Sequence, residues 1–345
     1  MEEHIGKGKG VQSRFGEHLW LDITLLGERH IKHNLREVYE ICQHFMGVDP
    51  VKDWIPVRPA QHYTMGGVRT DHTGESATLK GLFAAGEAAC WDMHGFNRLG
   101  GNSVAETVVA GMIVGEYIAD FCASADSESV VSTTLVKQFA ERERRQLSAI
   151  ASGAGTENPF GLMNEMQQIM TDNVGIFRSG EKLAAAVEGL GLLLERSRNM
   201  GLRSQARGAN PELVAAYRLP RMLKLALCVA QGALARTESR GAHFRSDHPQ
   251  RNDRDWLNRT LATWPDAGAM RAQLAYEPLD VTRMELPPGW RGYGARDYIE
   301  HPASAARQAE VDRLRAEYDG RDRFVLQQRL MPCEELLPRK YRGRN

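Results

Sequence analysis

The chain has 345 residues, 42% hydrophobic and 26% charged, which is enough for two or three domains with a sizeable buried core. Its 44 lysine and arginine residues balance 44 aspartate and glutamate residues, so charge gives no indication of a nucleic-acid partner. The basic run at residues 339–344 is the one local imbalance, and terminal runs of this kind are usually solvated.

The first sixty residues predict a strand, a helix and a proline-rich connection. His18–Thr24 has the pattern of a strand, and Glu28–Phe45 has apolar residues at helical spacing. Trp54–Pro59 contains the prolines that follow this helix. The apolar residues expected on one helix face are Ile31, Leu35, Val38, Ile41, Cys42 and Phe45. We therefore expect this segment to be structured rather than to be a leader.

The next segment predicts turns, a short strand and a long helix. Asp71–Ser76 indicates a tight turn, and Gly81–Glu87 predicts a short apolar strand. A helix is predicted over Ser103–Phe121, where small residues permit close packing. Ser103 and Glu106 have the spacing of a capping box, which predicts that this helix begins at Ser103.

The second half of the chain predicts helices with polar faces. Asn210 before Pro211 is a favourable helix start, and Pro220 is expected to kink or split that helix. After Gly241 the sequence is loop-rich and ends in a charged helix at about Ser304–Tyr318. The predicted helices span residues 131–150, 161–172, 181–200 and 211–237. We therefore expect a helical bundle followed by a loop-rich region.

The cysteines and apolar segments indicate the compartment. The five cysteines are widely spaced without a C-x-x-C pair, so we expect reduced thiols in a cytoplasmic protein. Val108–Cys122, the best apolar candidate, is interrupted by glycines and acidic residues, so no transmembrane helix is predicted. The N-terminal residues lack the apolar core of a signal peptide. The cysteines are Cys42, Cys90, Cys122, Cys228 and Cys333.

A glycine-rich segment, Gly95–Ser103, directly precedes the long predicted helix. Glycines let a ligand approach the backbone, and a helix N-terminus stabilises negative charge by about 0.3–1 kcal/mol, or up to about 2 kcal/mol when partly buried. A reduced flavin, a phosphate or a dicarboxylate would each suit such a site. From the spacing alone, an anion or cofactor site and a structural glycine-rich turn are equally good interpretations.

Three ordered motifs resemble the succinate dehydrogenase/fumarate reductase flavoprotein family. They are RPAQHYTMGG at residues 58–67, GLFAAGE at 81–87 and HGFNRLGGNS at 94–103. The resemblance continues through residues 172–178 and 237–243 and covers essentially the whole chain. Residues 89–97 resemble most the bacterial fumarate reductases that couple to a dihaem, menaquinol-reactive membrane subunit. The resemblance implies FAD as the cofactor and fumarate or succinate as the substrate.

The resemblance also implies roles for residues in these motifs. His62 and Arg98 are implied to bind the substrate carboxylates and to polarise the double bond for hydride transfer from the flavin. His62 and Tyr63 are implied to touch the flavin, and Glu87 to hold part of the FAD. The residues implied to line the flavin ring and its ribityl chain are Arg98, Leu99, Gly100, Gly101, Asn102, Ser103 and Val104. No metal ligand is assigned.

Each of these residues also has a structural interpretation. Taken singly, His62 would be a buried turn histidine, Glu87 a helix cap and Arg98 a partner in a structural salt bridge. We expect His94 to serve in packing or at the flavin edge, and Arg69 to be an ordinary exposed strand residue. The residues expected to form an interdomain polar network rather than to act in catalysis are Glu238, Arg240 and His243.

The resemblance implies an α+β chain with four regions. These are a capping-domain remnant (1–56), the C-terminal part of an FAD-binding α/β domain (57–123), a helical bundle (124–245) and a loop-rich C-terminal domain (246–345). The family's GxGxxG motif, its flavin-bearing histidine and its proton-donating arginine are not found in the sequence. We therefore expect a fragment that is inactive alone. It is either a truncated gene product, part of a longer gene, or half of a split enzyme that joins a separate N-terminal half.

The complete protein is expected to interconvert fumarate and succinate and to exchange electrons with an iron-sulfur subunit. A cytochrome b-type, quinone-reactive membrane subunit is implied indirectly, so we expect a cytoplasmic location at the membrane through partners. Two alternatives stay open, an L-aspartate oxidase-like flavoenzyme and a non-catalytic docking half of a split or truncated subunit. The predicted bundle and the sequence at residues 238–243 favour the respiratory branch.

Overall fold

The computed structural model describes residues 1–13, 16–124, 132–153, 155–204, 208–279 and 303–317. The basic run at residues 339–344 and Cys333 lie outside these residues. The chain divides into two compact units, Met1–His62 and Tyr63–Asn345. Helices and short strands occur together, in agreement with the predicted α+β class. None of the helices in these ranges is long and apolar enough to cross a membrane.

The first unit contains short helices and a two-stranded sheet. Strands β1 (Leu19–Leu21) and β2 (Ile55–Val57) pair antiparallel, so the strand predicted over His18–Thr24 is shorter than expected. The helices are α1 (Glu2–His4), α2 (Glu28–Asn34) and α3 (Arg36–Ile41), with π-helical turns at Ile5–Lys9 and Cys42–Met46 and a 3₁₀ turn at Thr24–Leu26.

The prediction of a single helix over Glu28–Phe45 is wrong, because the helix is interrupted at Leu35. This residue has φ −121° and ψ 34°, outside the helical region, so α2 ends before it and α3 begins after it. The break interrupts the helical spacing of the apolar residues. Ile31 and Cys42 are buried, whereas Phe45 is 82% exposed, and Val38 and Ile41 are also exposed.

A parallel strand pair opens the second unit. Strand β3 (Val68–Arg69) pairs with β4 (Ala89–Cys90), and Gly67 just before β3 passes very close to the other segment. A Cβ on Gly67 would lie 2.3 Å from the carbonyl oxygen of Ala88, and Gly67 has φ +123°. A larger residue would clash with the backbone there, so glycine is required at this position.

The strand predicted over Gly81–Glu87 is not formed. Phe83 makes only an isolated antiparallel bridge with Glu75, and Gly86–Ala88 is a 3₁₀ turn. The predicted turn at Asp71–Ser76 is formed, since the amide of Asp71 donates to the carbonyl of Glu75 at 3.0 Å. The chain therefore enters β4 through a helical turn rather than through a long strand.

Long helices dominate the rest of the second unit. They are α4 (Asn102–Cys122), α5 (Thr133–Ser152), α6 (Pro159–Asn173), α7 (Gly180–Arg196), followed by a 3₁₀ turn at Ser197–Asn199, and α8 (Pro211–Ala235). Four of them begin at a side-chain cap that accepts a backbone N–H, and these caps are Ser132, Asn158, Ser179 and Asn210. Pro220 lies inside α8, which continues through it, so of the two predicted outcomes the split is not observed and the kink stays a prediction.

The predicted bundle is confirmed by an apolar core that α6, α7 and α8 share. Complete burial of a leucine side chain contributes about 1.5–3 kcal/mol each, so this core is the main apolar source of stability in the unit. The largest leucines that are buried in it are Leu162, Leu183, Leu190, Leu219, Leu223 and Leu227.

The loop-rich region contains a hairpin that the sequence did not predict. Strands β5 (Asn258–Thr263) and β6 (Gln273–Pro278) pair antiparallel along six residues, after a short helix α9 (Asp253–Trp256). Helix α10 (Ser304–Glu317) matches the predicted charged helix. The hairpin supplies side chains to the candidate site.

Candidate functional site

The glycine-rich segment leads directly into the N-terminus of α4. The helix begins at Asn102, and its N-cap is Gly101 in the left-handed region at φ 81°. Among the described residues, no side chain caps this end of α4. Cβ atoms placed on Gly95, Gly100 or Gly101 would meet nothing within 4 Å, so the backbone is open on these sides. A helix end of this kind favours an anionic ligand through its N–H groups and its dipole.

The predicted capping box is wrong, because α4 begins one residue earlier, at Asn102, and Glu106 bonds to a residue that precedes the helix. Glu106 is 3% exposed, and its Oε1 accepts a hydrogen bond from the indole Nε1 of Trp91 at 3.0 Å. Its Oε2 lies 3.9 Å from the imidazole Nε2 of His94. Glu106 therefore fixes the segment that precedes the helix rather than the cap of the helix.

Tyr63 brings two of the predicted residues together. The rings of Tyr63 and His94 meet edge to face with centroids 5.2 Å apart, and the guanidinium of Arg98 lies 5.2 Å from the centroid of the Tyr63 ring. Arg98 donates from Nη1 to the carbonyl oxygen of Leu99 at 3.1 Å. Within the described ranges, no carboxylate forms an ion pair with Arg98. The structural salt bridge considered for Arg98 is therefore not observed in these ranges.

Several polar atoms in this group are buried without a hydrogen-bond partner among the described residues. They are the hydroxyl of Tyr63, Nε of Arg98, Nε2 of His94 and Oε2 of Glu106. Burial raises the pKa of the Tyr63 hydroxyl, and the carboxylates of Glu106 and Glu87 raise it further. Unpaired buried polar atoms are uncommon in proteins and are frequently found where a ligand or water completes the hydrogen bonding.

Glu87 lies in the 3₁₀ turn that precedes β4. Its Oε1 accepts the backbone N–H of Thr64 at 2.8 Å, which fixes the residues that follow Tyr63. Gly86 beside it is left-handed at φ +67°, and a Cβ there would lie 3.1 Å from Oγ1 of Thr107 in α4. Glu87 is exposed, so its carboxylate is accessible to a ligand. It does not cap a long helix.

The remaining predicted residues differ in their exposure. His62 is exposed and is the last residue of the first unit, so its role as a substrate residue stays a prediction. Leu99 and Val104 are 47% and 72% exposed, so apolar side chains are accessible near the helix start. Asn102 and Ser103 are partly buried in the first turn of α4.

Arg69 is not an ordinary exposed strand residue. It donates from Nε and Nη2 to both carboxylate oxygens of Glu277 in β6, at 3.1 and 3.0 Å. Arg259 in β5 donates to Glu277 at 2.7 Å and also binds both carboxylate oxygens of Asp92. We name these four residues the Arg69 cluster. The hydrogen bonds from Arg69 lower the pKa of Glu277 and therefore keep its carboxylate charged.

A second polar network includes the residues expected to be structural. Glu238 is fully buried and accepts from Arg236 at 2.6 Å, from Arg240 at 2.8 and 2.9 Å, and from the backbone N–H of Asn252 at 2.8 Å. Arg240 also donates to Asp253 at 2.7 Å. The carboxylate is therefore surrounded by donors, as a buried charge requires.

His243 completes this network in its neutral form. Its Nδ1 lies 2.9 Å from Nη1 of Arg178, which can only donate, so Nδ1 is the acceptor. Burial and the nearby charge of Arg178 lower the pKa of His243 to about 4. Arg245 donates to the carbonyl oxygens of Ala233 and Leu234 at 3.0 Å and so closes the C-terminus of α8. A catalytic proton transfer at neutral pH is not expected from a histidine held in this way.

The sequence matches two family models and several fumarate reductase flavoprotein subunits. Residues 1–104 match the family model described as an FAD binding domain, and residues 163–293 match the one described as the fumarate reductase flavoprotein C-terminus. A fumarate reductase flavoprotein subunit of Helicobacter pylori is 46% identical over 99% of this chain and 52% of the relative. The corresponding subunit of Escherichia coli is 37% identical over 88% of this chain and 50% of its own length.

Solved structures agree with the sequence matches. A mutant of Escherichia coli quinol fumarate reductase FrdA aligns with a TM-score of 0.76 and 34% identity, over 82% of this chain and 48% of that one. The chain belongs to the succinate dehydrogenase/fumarate reductase flavoprotein family. The predicted family is therefore confirmed, and so is FAD as the cofactor of the family, through the match of residues 1–104. The chain spans about half the length of the curated relatives it matches.

The residues of the second unit fit a flavin cofactor. A flavin offers hydrogen-bonding oxygens and nitrogens and carries negative charge when reduced, and it therefore suits an open, uncapped helix start. The unpaired atoms of Tyr63 and Arg98 are donors that such a group, or an anionic substrate beside it, can satisfy. The sequence did not lead us to place Trp91, Glu106 or the Arg69 cluster at the site. The tryptophan and acidic residues so close to the HGFNR motif were the available signal.

Proposed function

We propose that the chain is part of the flavoprotein subunit of a fumarate reductase or succinate dehydrogenase, which interconverts fumarate and succinate. The observation that supports this most is the position of Arg98. Its guanidinium lies against Tyr63 at an uncapped helix start and has no acidic partner in the described part of the chain. A cation held in this way is suited to an anionic substrate.

Arg98 is proposed to bind a substrate carboxylate. A guanidinium presents several donors in one plane and pairs with a carboxylate through two parallel hydrogen bonds. The carbonyl of Leu99 occupies only Nη1, at 3.1 Å, so other donors of Arg98 are available. His62 is proposed to bind the substrate as well, and this assignment rests on the motif at residues 58–67.

Tyr63, Glu87 and the start of α4 are proposed to hold FAD, which when bound would donate a hydride to fumarate in its reduced form or accept one from succinate in its oxidised form. Because the pKa of Tyr63 is raised, its hydroxyl stays protonated and can donate a hydrogen bond. Residues 98–104 present backbone N–H groups and open glycine sides to the ligand. Negative charge that develops near these N–H groups is stabilised without a side-chain cation.

The proposal extends to partners and location. Solved neighbours of this chain include a quinol-fumarate reductase with menaquinol molecules, at a TM-score of 0.75. We propose that the flavoprotein exchanges electrons with an iron-sulfur subunit and, through it, with a cytochrome b-type quinone-reactive membrane subunit of the dihaem kind. The protein would then lie at the cytoplasmic face of the membrane through these partners.

The test is to reconstitute the chain with a polypeptide that covers the part of the Helicobacter pylori relative that the chain does not match. Fumarate-dependent oxidation of a reduced viologen dye is measured with FAD present. We expect no turnover from the chain alone and turnover from the reconstituted protein. Replacement of Arg98 by methionine should lower kcat/KM about 10²–10³-fold, the usual effect of losing one preorganised electrostatic group.

Arg254→Met is the matched control, because Arg254 is an exposed arginine in α9 and should not affect turnover. The proposed function would be contradicted if the reconstituted, FAD-containing protein failed to reduce fumarate. Oxidation of L-aspartate in preference to succinate would instead support the oxidase alternative. Active chain without the added polypeptide would contradict the expectation that the fragment is inactive alone.

A further inference from the structure

The segment Trp91–Arg98, which we name the Arg98 loop, follows β4 and is itself followed by residues 99–101 and then by Asn102, where α4 begins. It has no regular secondary structure, so its conformation depends on contacts with other parts of the unit. Asp92 has φ 74°, in the left-handed region. Among the described residues other than glycine, it alone has a positive φ. Such a conformation is unfavourable for a residue with a side chain unless its surroundings hold it.

Arg259 holds Asp92 from the hairpin. It donates from Nε to Oδ1 of Asp92 at 2.5 Å and from Nη2 to the other carboxylate oxygen, so the pair is bidentate. The Arg259 side chain is 17% exposed, which reduces screening by solvent. Residues 92 and 259 are far apart in sequence, so this pair fixes the loop to a separate element of the unit.

Arg259 is itself fixed in position. Its remaining nitrogen, Nη1, donates to Glu277 at 2.7 Å, and Glu277 receives two further hydrogen bonds from Arg69 in β3. Two arginines and two carboxylates thus form a closed, neutral cluster. Each member restricts the others, which makes such a network more rigid than an isolated surface pair.

A second anchor acts on the loop at Phe96. The backbone N–H of Ala242 donates to the carbonyl oxygen of Phe96 at 2.8 Å, and Arg236 lies 4.9 Å from the centroid of the Phe96 ring. Gly241 is left-handed, and a Cβ on it would lie 2.8 Å from the same carbonyl oxygen. The polar network around Glu238 therefore contacts the loop two residues before Arg98.

We infer that Arg259 is a positioning residue, which acts through Asp92 to hold the Arg98 loop in the conformation that binds the substrate carboxylate. The inference rests on the proposed function for the identity of the ligand, an anionic dicarboxylate. Loss of the pair removes the contact that holds Asp92 in its left-handed conformation, whereas the Phe96 anchor stays. The loop then samples other conformations, and Arg98 is in place for only a fraction of the time.

Hydrogen exchange on the chain itself tests the structural part. Arg259→Met and Asp92→Asn are each expected to accelerate exchange of backbone amides in residues 91–98 by about tenfold, which corresponds to easier local opening. Peptides from α7 and α8 should exchange as before, which shows that the variants are folded. Arg254→Met, an exposed arginine of the same region, is the control and should leave the loop unchanged.

Kinetics of the reconstituted protein test the positioning role. In Arg259→Met we expect KM for fumarate to rise about tenfold with kcat changed by less than about threefold, because binding of the carboxylate is impaired more than the chemical step. Arg259→Lys keeps the positive charge but cannot form two parallel hydrogen bonds with the carboxylate. Its KM for fumarate should lie between the values of the unsubstituted protein and of Arg259→Met. A contact with only a structural role would not raise KM in a folded variant.

The results separate the two proposals. The inference would be overturned if residues 91–98 exchanged at the same rate in Arg259→Met and Asp92→Asn as in the unsubstituted chain. Faster exchange in Arg259→Met with an unchanged KM would also overturn it. Absence of fumarate turnover in the unsubstituted, reconstituted protein would contradict the proposed function. In that case the exchange data alone decide whether Arg259 holds the loop.

Discussion

The helical bundle and the candidate site are built in opposite ways. In the bundle, α6, α7 and α8 meet through leucines that are completely buried, and side-chain caps mark where these helices begin. In the site, two-residue strands, open glycines and unpaired buried polar atoms surround an uncapped helix start. The helices of the bundle bury their apolar side chains against one another and begin at capped ends, whereas the site leaves unpaired hydrogen-bonding atoms and open space for a ligand. This difference separates the part of the unit that provides stability from the part that provides function.

The largest expected effect is the loss of the buried carboxylate between bundle and site. Glu238→Ala leaves Arg236 and Arg240 buried without their common partner, which should lower the free energy of unfolding by about 3–5 kcal/mol. Urea unfolding followed by circular dichroism measures it. Glu188→Ala is the control, because Glu188 is exposed on α7 and should change stability by less than about 0.5 kcal/mol. Equal effects in the two variants would show that the network does not carry stability.

The core of the bundle gives the next effect. Leu223→Ala should destabilise by about 2–5 kcal/mol, because Leu223 is completely buried and its removal leaves a cavity. Leu225→Ala, two residues along the same helix, is the matched control, since that side chain is 68% exposed. Thermal unfolding of both proteins makes the comparison. Similar melting temperatures for the two variants would contradict the assigned core.

Two tyrosines sharpen the contrast between a satisfied and an unsatisfied hydroxyl. The hydroxyl of Tyr217 donates to Glu143 at 2.7 Å, so Tyr217→Phe should cost about 1 kcal/mol. The hydroxyl of Tyr63 is buried without a partner among the described residues, so Tyr63→Phe should leave the stability of the ligand-free chain unchanged or raise it by up to about 1 kcal/mol. If Tyr63→Phe destabilised as much as Tyr217→Phe, the hydroxyl would not be reserved for a ligand.

The last effect is a dependence of stability on pH that comes from His243. This dependence is absent at neutral pH and appears only as the pH falls. Its pKa is lowered to about 4 in the folded protein, against an ordinary value near 6.5, because it is buried beside Arg178. The unfolded chain therefore binds more protons between these values, and stability is lost as the pH falls from 6.5 towards 4, by at most about 1.4 kcal/mol per pH unit. His243→Gln should reduce this slope in urea unfolding, whereas the same change at the partly exposed His248 should not. An unchanged slope would show that His243 is not buried in its neutral form.

The sequence predicted the bundle because its information is local. Helical spacing, capping residues and Pro211 at a helix start lie within a few residues of each other, and helices α6 to α8 begin within two residues of the predicted positions. The helix over Glu28–Phe45 had the same spacing, yet Leu35 leaves the helical region and breaks it. Periodicity therefore gave the element type without its continuity.

The contacts of the site were not predictable in the same way. Arg69 finds Glu277 more than two hundred residues away, and Asp92 finds Arg259 in a hairpin that the sequence did not indicate. Glu106 had the spacing of a capping box, but its buried position beside the Trp91 indole decides its partner. The roles of His62 and residues 99–104 stay predictions, since contacts with a ligand decide them. The predicted domain boundaries also stay predictions.

The most direct test of the central claim is binding of a dicarboxylate beside the flavin. Fumarate is added to the reconstituted, FAD-containing protein under oxidising conditions, and the absorbance spectrum of the flavin is recorded. We predict a saturable spectral change in the unsubstituted protein that is lost, or moved to at least about tenfold higher fumarate concentration, in Arg98→Met. The same change at the same concentration in both proteins would show that Arg98 does not bind the substrate and would contradict this account of the site.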